Sequence, residues 1–127
     1  MRGALENAGV TVDDLSHVNA HGTSTVPGDL SEALALSSLA DGARLPITGV
    51  KGTTGHLIAG SGAVEAIVTL RSLQTCLVPP VAGLRQIDRQ IDLDVVRNAP
   101  RAIGSGPALS NSFGFGGMNT ALVLGAP

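Results

Sequence analysis

The chain has 127 residues, with 8 Lys and Arg against 10 Asp and Glu and a formal net charge of −2. Hydrophobic residues make up 43%, too many for a disordered chain, and no basic stretch offers a nucleic-acid footprint. Aromatics are 2%, two Phe with no Trp or Tyr, which excludes a base-stacking platform as well. The length suits one domain or half of a larger one. The apolar mass is Ala, Val, Leu and Ile beside 17 Gly, a composition for close helix–sheet packing. The single Cys, Cys76, can build neither an internal disulfide framework nor a thiolate zinc site. No apolar run approaches the roughly 18 residues of a spanning helix. The opening MRGALENAG lacks the apolar core of a signal peptide. A cytoplasmic protein engaging neither membrane nor nucleic acid is expected.

Residues 2–8 read as a short helix that stops at Gly9. Ser16 to Ala20 (SHVNA) is a strand-like run, followed by a polar loop from His21 to Asp29. Leu30 to Leu39 has helical spacing, with Leu30, Ala33, Leu34 and Leu36 on one side. Asp29 is placed to cap that helix, and Glu32 completes a capping-box-like pattern. Ile47 to Val50 is a second strand, and Lys51 to His56 (KGTTGH) a second Gly-rich loop. Leu57 to Gln74 is the longest helix expected. Its Ala59-Gly-Ser-Gly-Ala63 start is intrinsically weak, so close approach to another helix or a sheet must hold it.

Pro79-Pro80 ends that helical stretch within an extended segment, Cys76 to Val81, and Gly83 to Pro100 is loop-like. Ala108 to Ser112 is a strand, Phe113 to Asn119 (FGFGGMN) a third Gly-rich turn, and Thr120 to Leu124 a final buried strand. Strands alternating with helices predict an α/β fold with a buried mixed sheet packed by helices.

Two histidines, His21 and His56, stand in loops just after buried strands, where α/β sheets bind ligands. Two neutral imidazoles presenting Nε2–H groups to one cavity can hold a developing negative charge on a thioester oxygen. His17 lacks that context and reads as structural or exposed. Lys51 fits a catalytic, a phosphate-binding or an ion-pairing role. KGTTGH is neither a P-loop nor a dinucleotide fingerprint. Glu65 is either a surface helix charge or a buried carboxylate that pairs with Lys51 or orients water. Cys76 has no basic neighbour to activate it and reads as a small buried hydrophobe.

Three segments, VNAHGTST with Gly28-Asp29, KGTTGHLIAGSGAVEA and SNSFGFGGMNTALVL, together resemble the β-ketoacyl synthases of fatty acid and polyketide synthesis. The resemblance covers essentially the whole chain. It implies the C-terminal half of a thiolase-like αβαβα layered fold, without the family's Cys-bearing N-terminal half. It implies that His21 and His56 are the two catalytic histidines, which stabilise the enolate formed when a malonyl extender loses CO2. Lys51 resembles the lysine that orients the second histidine and tunes the site, and Glu65 the glutamate of the supporting network. Thr23 and Thr25 match threonines that hydrogen-bond the phosphopantetheine arm. Phe115 matches a gating residue whose N–H joins the oxyanion hole, flanked by the mobile glycines Gly114, Gly116 and Gly117. Asn119 matches an asparagine that fixes that loop.

The implied reaction is decarboxylative Claisen condensation, with no metal and no intrinsic cofactor. The phosphopantetheine arm of an acyl carrier protein arrives as substrate carrier. The implied partners are that carrier protein and a Cys-bearing N-terminal half, without which the chain would be inactive. Val26 before Pro27, and Val81 and Gly83 after Pro80, depart from the family pattern. The competing expectations are a non-catalytic carrier-binding or scaffold module and a phosphate binder using KGTTGH. An isolated half is also expected to expose apolar surface and to self-associate.

Overall fold

The computed structural model describes residues 1–125. The helices are α1 (Arg2–Ala8), α2 (Val26–Ala40), α3 (Lys51–Thr54) and α4 (Ser61–Thr75). The strands are β1 (His17–Asn19), β2 (Ile47–Thr48), β3 (Leu77–Val78), β4 (Arg101–Ala102), β5 (Ala108–Phe113) and β6 (Asn119–Leu124). A mixed sheet has the order β2-β1-β5-β6, with β1 parallel to both neighbours and β6 antiparallel to β5. A second, antiparallel pair joins β3, within the segment expected to be extended, to β4, where no strand was expected.

The two faces of the sheet differ because side chains alternate along each strand. Val18, in register with Ile47 and Leu109, packs with Leu5 of α1 and with Leu36 and Leu39 of α2. Each such buried aliphatic contributes about 2 kcal/mol of transfer free energy. The opposite face carries small and polar side chains and receives α4. Asn19 Nδ2 donates to the Glu65 carbonyl (3.1 Å) and to Thr69 Oγ1 (3.0 Å), fastening α4 to the end of β1. A Cβ at Gly62 would sit 3.0 Å from Ser112 Oγ on β5. The small residues at the start of α4 are therefore the condition for its close approach to the sheet.

Several expectations need correction. The last strand, β6, is not buried: at the edge of the sheet, its residues are exposed or half-buried. Helix α2 begins at Val26, not Leu30, because Pro27 is tolerated in a first turn where its missing N–H costs nothing. Asp29 and Glu32 thus lie inside the helix and do not cap it. Leu34 is 61% exposed, and Glu32 instead lies on the buried side of α2. Lys51–Thr54 is one helical turn rather than loop. The long helix starts at Ser61, after a 3-10 turn over Ile58–Gly60. Cys76 is exposed, not buried: it is the left-handed residue (φ 53°) that ends α4.

His17 is fully buried. The Ser16 hydroxyl donates to the Pro107 carbonyl (3.1 Å), so its oxygen takes the His17 Nδ1–H (3.1 Å). Burial pushes the His17 imidazole down to about 4. Large apolar side chains stand exposed at Ile58, Ile67, Phe115 and Met118. Among the described residues no helix is long and apolar enough to cross a membrane.

Candidate active site

The chain leaves β1 at Asn19 and turns sharply. His21 and Gly22 aim their backbone N–H groups at the Glu32 carboxylate of α2, both at 2.9 Å. Asn111 Nδ2 of β5 adds a third donor to Glu32 at 3.1 Å. Asp29 Oδ1 accepts the Ser24 N–H (3.0 Å) at a residue with φ 62°. The two acids expected to cap the helix therefore fold the His21 loop, Asp29 by local side-chain bonding to backbone and Glu32 from farther along α2.

Lys51, opening α3 at the end of β2, reaches into this loop. Its ammonium donates to His21 Nδ1 (3.2 Å), to the His21 carbonyl and to Glu65 Oε1. Three N–H groups thus find three acceptors, and the histidine that Lys51 holds is His21, not His56 as expected, because the His56 Nδ1 is taken by the Ile58 N–H. The Lys51 and Glu65 side chains are 7% and 1% exposed, so the pair is buried and the ion-pair readings of both residues hold. Burial raises the Glu65 carboxyl, opposed by the hydrogen bond and charge of Lys51. His21 is lowered to about 4, by burial first, then by Lys51 and His56. At neutral pH it is a neutral imidazole. With a donor on Nδ1, its own proton resides on Nε2.

His56 reaches the same place by another route. Gly55 has φ 68° and ψ −177°, a conformation essentially restricted to glycine. That kink swings His56 away from α3. Its Nδ1 accepts the Ile58 N–H (3.0 Å), so His56 too carries its proton on Nε2. Ile58 provides this amide from φ 51°, a region that disfavours β-branched residues. The His21 and His56 rings meet edge to face, centroids 5.6 Å apart and planes at 86°. Phe113 also packs against His21, ring centroids 5.7 Å apart.

The remaining expected residues are less tightly gathered. Thr23 and Thr25 bring their hydroxyls within 3.0 Å of each other, and a Cβ at Gly28 would collide with the Thr25 hydroxyl. A cleft of about 780 Å³ separates the His21 loop from residues 81–91, lined among others by Thr23, Thr25, Lys51, His56 and Arg85. Phe115 is wholly exposed in a turn where Gly116 and Gly117 take positive φ. The Gly114 N–H closes that turn on the Met118 carbonyl (2.8 Å), while Asn119 stands exposed at the start of β6. Among the described residues no three His, Cys, Asp or Glu side chains converge as a metal site.

Sequence reasoning missed Phe113, Glu32, Asn111 and the Asn19–Thr69 clasp. Phe113 and Asn111 lay in a quoted motif. Glu32 gave a misleading capping signal.

The family model described as beta-ketoacyl synthase, C-terminal domain, matches residues 1–85. The chain belongs to this family. The chain is 42% identical over 122 residues to 3-oxoacyl-[acyl-carrier-protein] synthase 2 of Mycobacterium tuberculosis (strain ATCC 25618 / H37Rv). That match covers 96% of this chain and 29% of the relative, so the chain spans less than a third of the relative's length. The crystal structure of a beta-ketoacyl synthase from Burkholderia phymatum STM815 superposes with a TM-score of 0.95 and 37% identity, over 100% of this chain and 31% of that one. A type II polyketide synthase acyl-carrier protein in complex with its ketosynthase matches with a TM-score of 0.93 and 29% identity, over 99% of this chain and 31% of that one. The ketosynthase fold here is accordingly that of the C-terminal part of the thiolase-like architecture.

Proposed function

We propose that this chain supplies the two-histidine, one-lysine part of a ketosynthase site that performs decarboxylative Claisen condensation of acyl and malonyl thioesters. The observation that carries this reading is the matched state of the two imidazoles. A donor occupies Nδ1 of each, Lys51 at His21 and the Ile58 amide at His56, which leaves two Nε2–H groups in one edge-to-face pair. Such a pair suits an oxygen that becomes negative, and each donor of this kind is worth about 10²–10³ in rate.

The nucleophile comes from a segment or chain beyond these residues. Cys76 ends a helix of 15 residues whose first residue touches His56, so it lies about 22 Å from the site at 1.5 Å per residue. A thiolate elsewhere first takes the acyl group as a thioester. The malonyl thioester then loses CO2, and the electron pair of the broken C–C bond becomes an enolate held by His21 and His56. The enolate carbon attacks the acyl carbonyl, and collapse of the adduct expels the thiolate and leaves a β-ketoacyl thioester on the carrier. Neutral His21, with Lys51 on Nδ1, still carries the Nε2–H that it donates. Thr23 and Thr25 line the cleft by which the phosphopantetheine arm arrives. The carrier protein is a partner by the same reading, supported by the ketosynthase–carrier complex this fold resembles.

The test is coexpression with a Cys-bearing N-terminal ketosynthase segment and assay of CO2 release and β-ketoacyl product. Product that disappears with His21→Ala is expected. Neither association nor product would overturn the reading. Carrier-protein binding with no product would favour the non-catalytic module.

A further inference from the structure

Ser61 is the first residue of α4 and is 4% exposed. Its hydroxyl oxygen accepts the Leu57 N–H at 2.9 Å. The hydroxyl's one proton remains free to donate, and His56 Nδ1 lies 3.3 Å away. The same nitrogen already receives the Ile58 N–H, delivered from a left-handed backbone that a β-branched side chain resists. The amide that sets the His56 tautomer is therefore held in place against its own preference. Ile58 itself is 77% exposed, so packing does not hold it. Ser61 closes the 57–61 turn around that strained residue and faces the same imidazole nitrogen.

We infer that Ser61 is a positioning residue for His56. Its hydroxyl clasps the strained turn and adds a second donor at Nδ1, which keeps the His56 proton on Nε2. The role in catalysis rests on the reading of His56 as a donor to the enolate oxygen, whereas the tautomer lock does not. No other side chain is seen to reach this nitrogen among the described residues.

The test is the 15N spectrum of the His56 imidazole in the full chain, at a pH well above the ordinary imidazole range. The unmodified chain should show one acceptor-type Nδ1 and one protonated Nε2. Ser61→Ala should move both nitrogens toward each other, as the Nδ1–H tautomer becomes populated, and should speed hydrogen exchange at the Leu57 amide. Ser61→Thr, which keeps the hydroxyl, should restore the original pattern. In the reconstituted enzyme Ser61→Ala should lower kcat about three- to tenfold with KM little changed. His56 nitrogen shifts that are the same in Ser61→Ala and the unmodified chain would overturn the inference. If no variant condenses thioesters but the shifts move as described, the positioning stands and only the catalytic reading falls.

Discussion

His21 and His56 meet across 5.6 Å, yet they are held by opposite means. His21 is tied by buried charge: Lys51 touches its ring nitrogen and its carbonyl, and Glu32 takes its N–H. His56 is exposed and is tied by backbone: a glycine-only kink before it and a strained amide after it. The first arrangement is stiff and depends on ionisation, because buried charges that lose a partner are costly. The second is local and depends on turn geometry. One histidine of the pair is thus coupled to the stability of the whole domain, and the other to a few residues of loop.

The largest expected effect strikes the His21 side. Lys51→Met keeps the aliphatic stem but removes the cation, leaving Glu65 buried without its partner. Urea denaturation should show a loss of about 3 kcal/mol, with the His21 resonances displaced and those of His56 less so. Equal displacement of both would erase the contrast.

Acid should separate the regions next. His17 and His21 both titrate at about 4 in the folded chain against an ordinary 6.5. Unfolding therefore takes up protons between those values, so stability is full above pH 6.5 and falls as pH drops toward 4. His17 alone should contribute about 3 kcal/mol across that window. Glu65, raised by burial, works in the opposite sense and softens the fall. A Tm that does not decrease from neutral pH to about pH 5 would contradict this account.

The smallest stability effect belongs to the third loop. Phe115 is fully exposed, so Phe115→Ala should shift stability by less than about 0.5 kcal/mol. A larger loss in thermal denaturation would mean that its ring is packed in solution and that the loop belongs with the stiff side of the site.

Much of this was legible in the residues. The Gly-rich segments around His21, His56 and Phe115, the alternation of strand and helix and the two histidines follow from local pattern and from chemistry that few residue types can perform, and the pairing of Lys51 with Glu65 stood among the alternatives. Turn glycines and strand runs act over a handful of positions, which is the range a linear reading covers. Glu32 shows where that range ends. Three residues after Asp29 it imitates a capping box, and only the 79-residue jump to Asn111 reveals a buried carboxylate organising the His21 loop. Phe113 and Phe115 are equally plausible neighbours of a histidine in the linear motif. Strand pairing with alternating side chains turns the first toward His21, while the glycine turn leaves the second in solvent.

The sequence by itself determined which chemical groups are present and at which strand ends they stand. The tertiary structure alone decided their protonation and orientation: a neutral His21, two Nε2–H donors, a buried ion pair and an outward-facing Cys76. Those states depend on desolvation and on hydrogen-bond partners brought from distant parts of the chain. Composition and spacing carry neither.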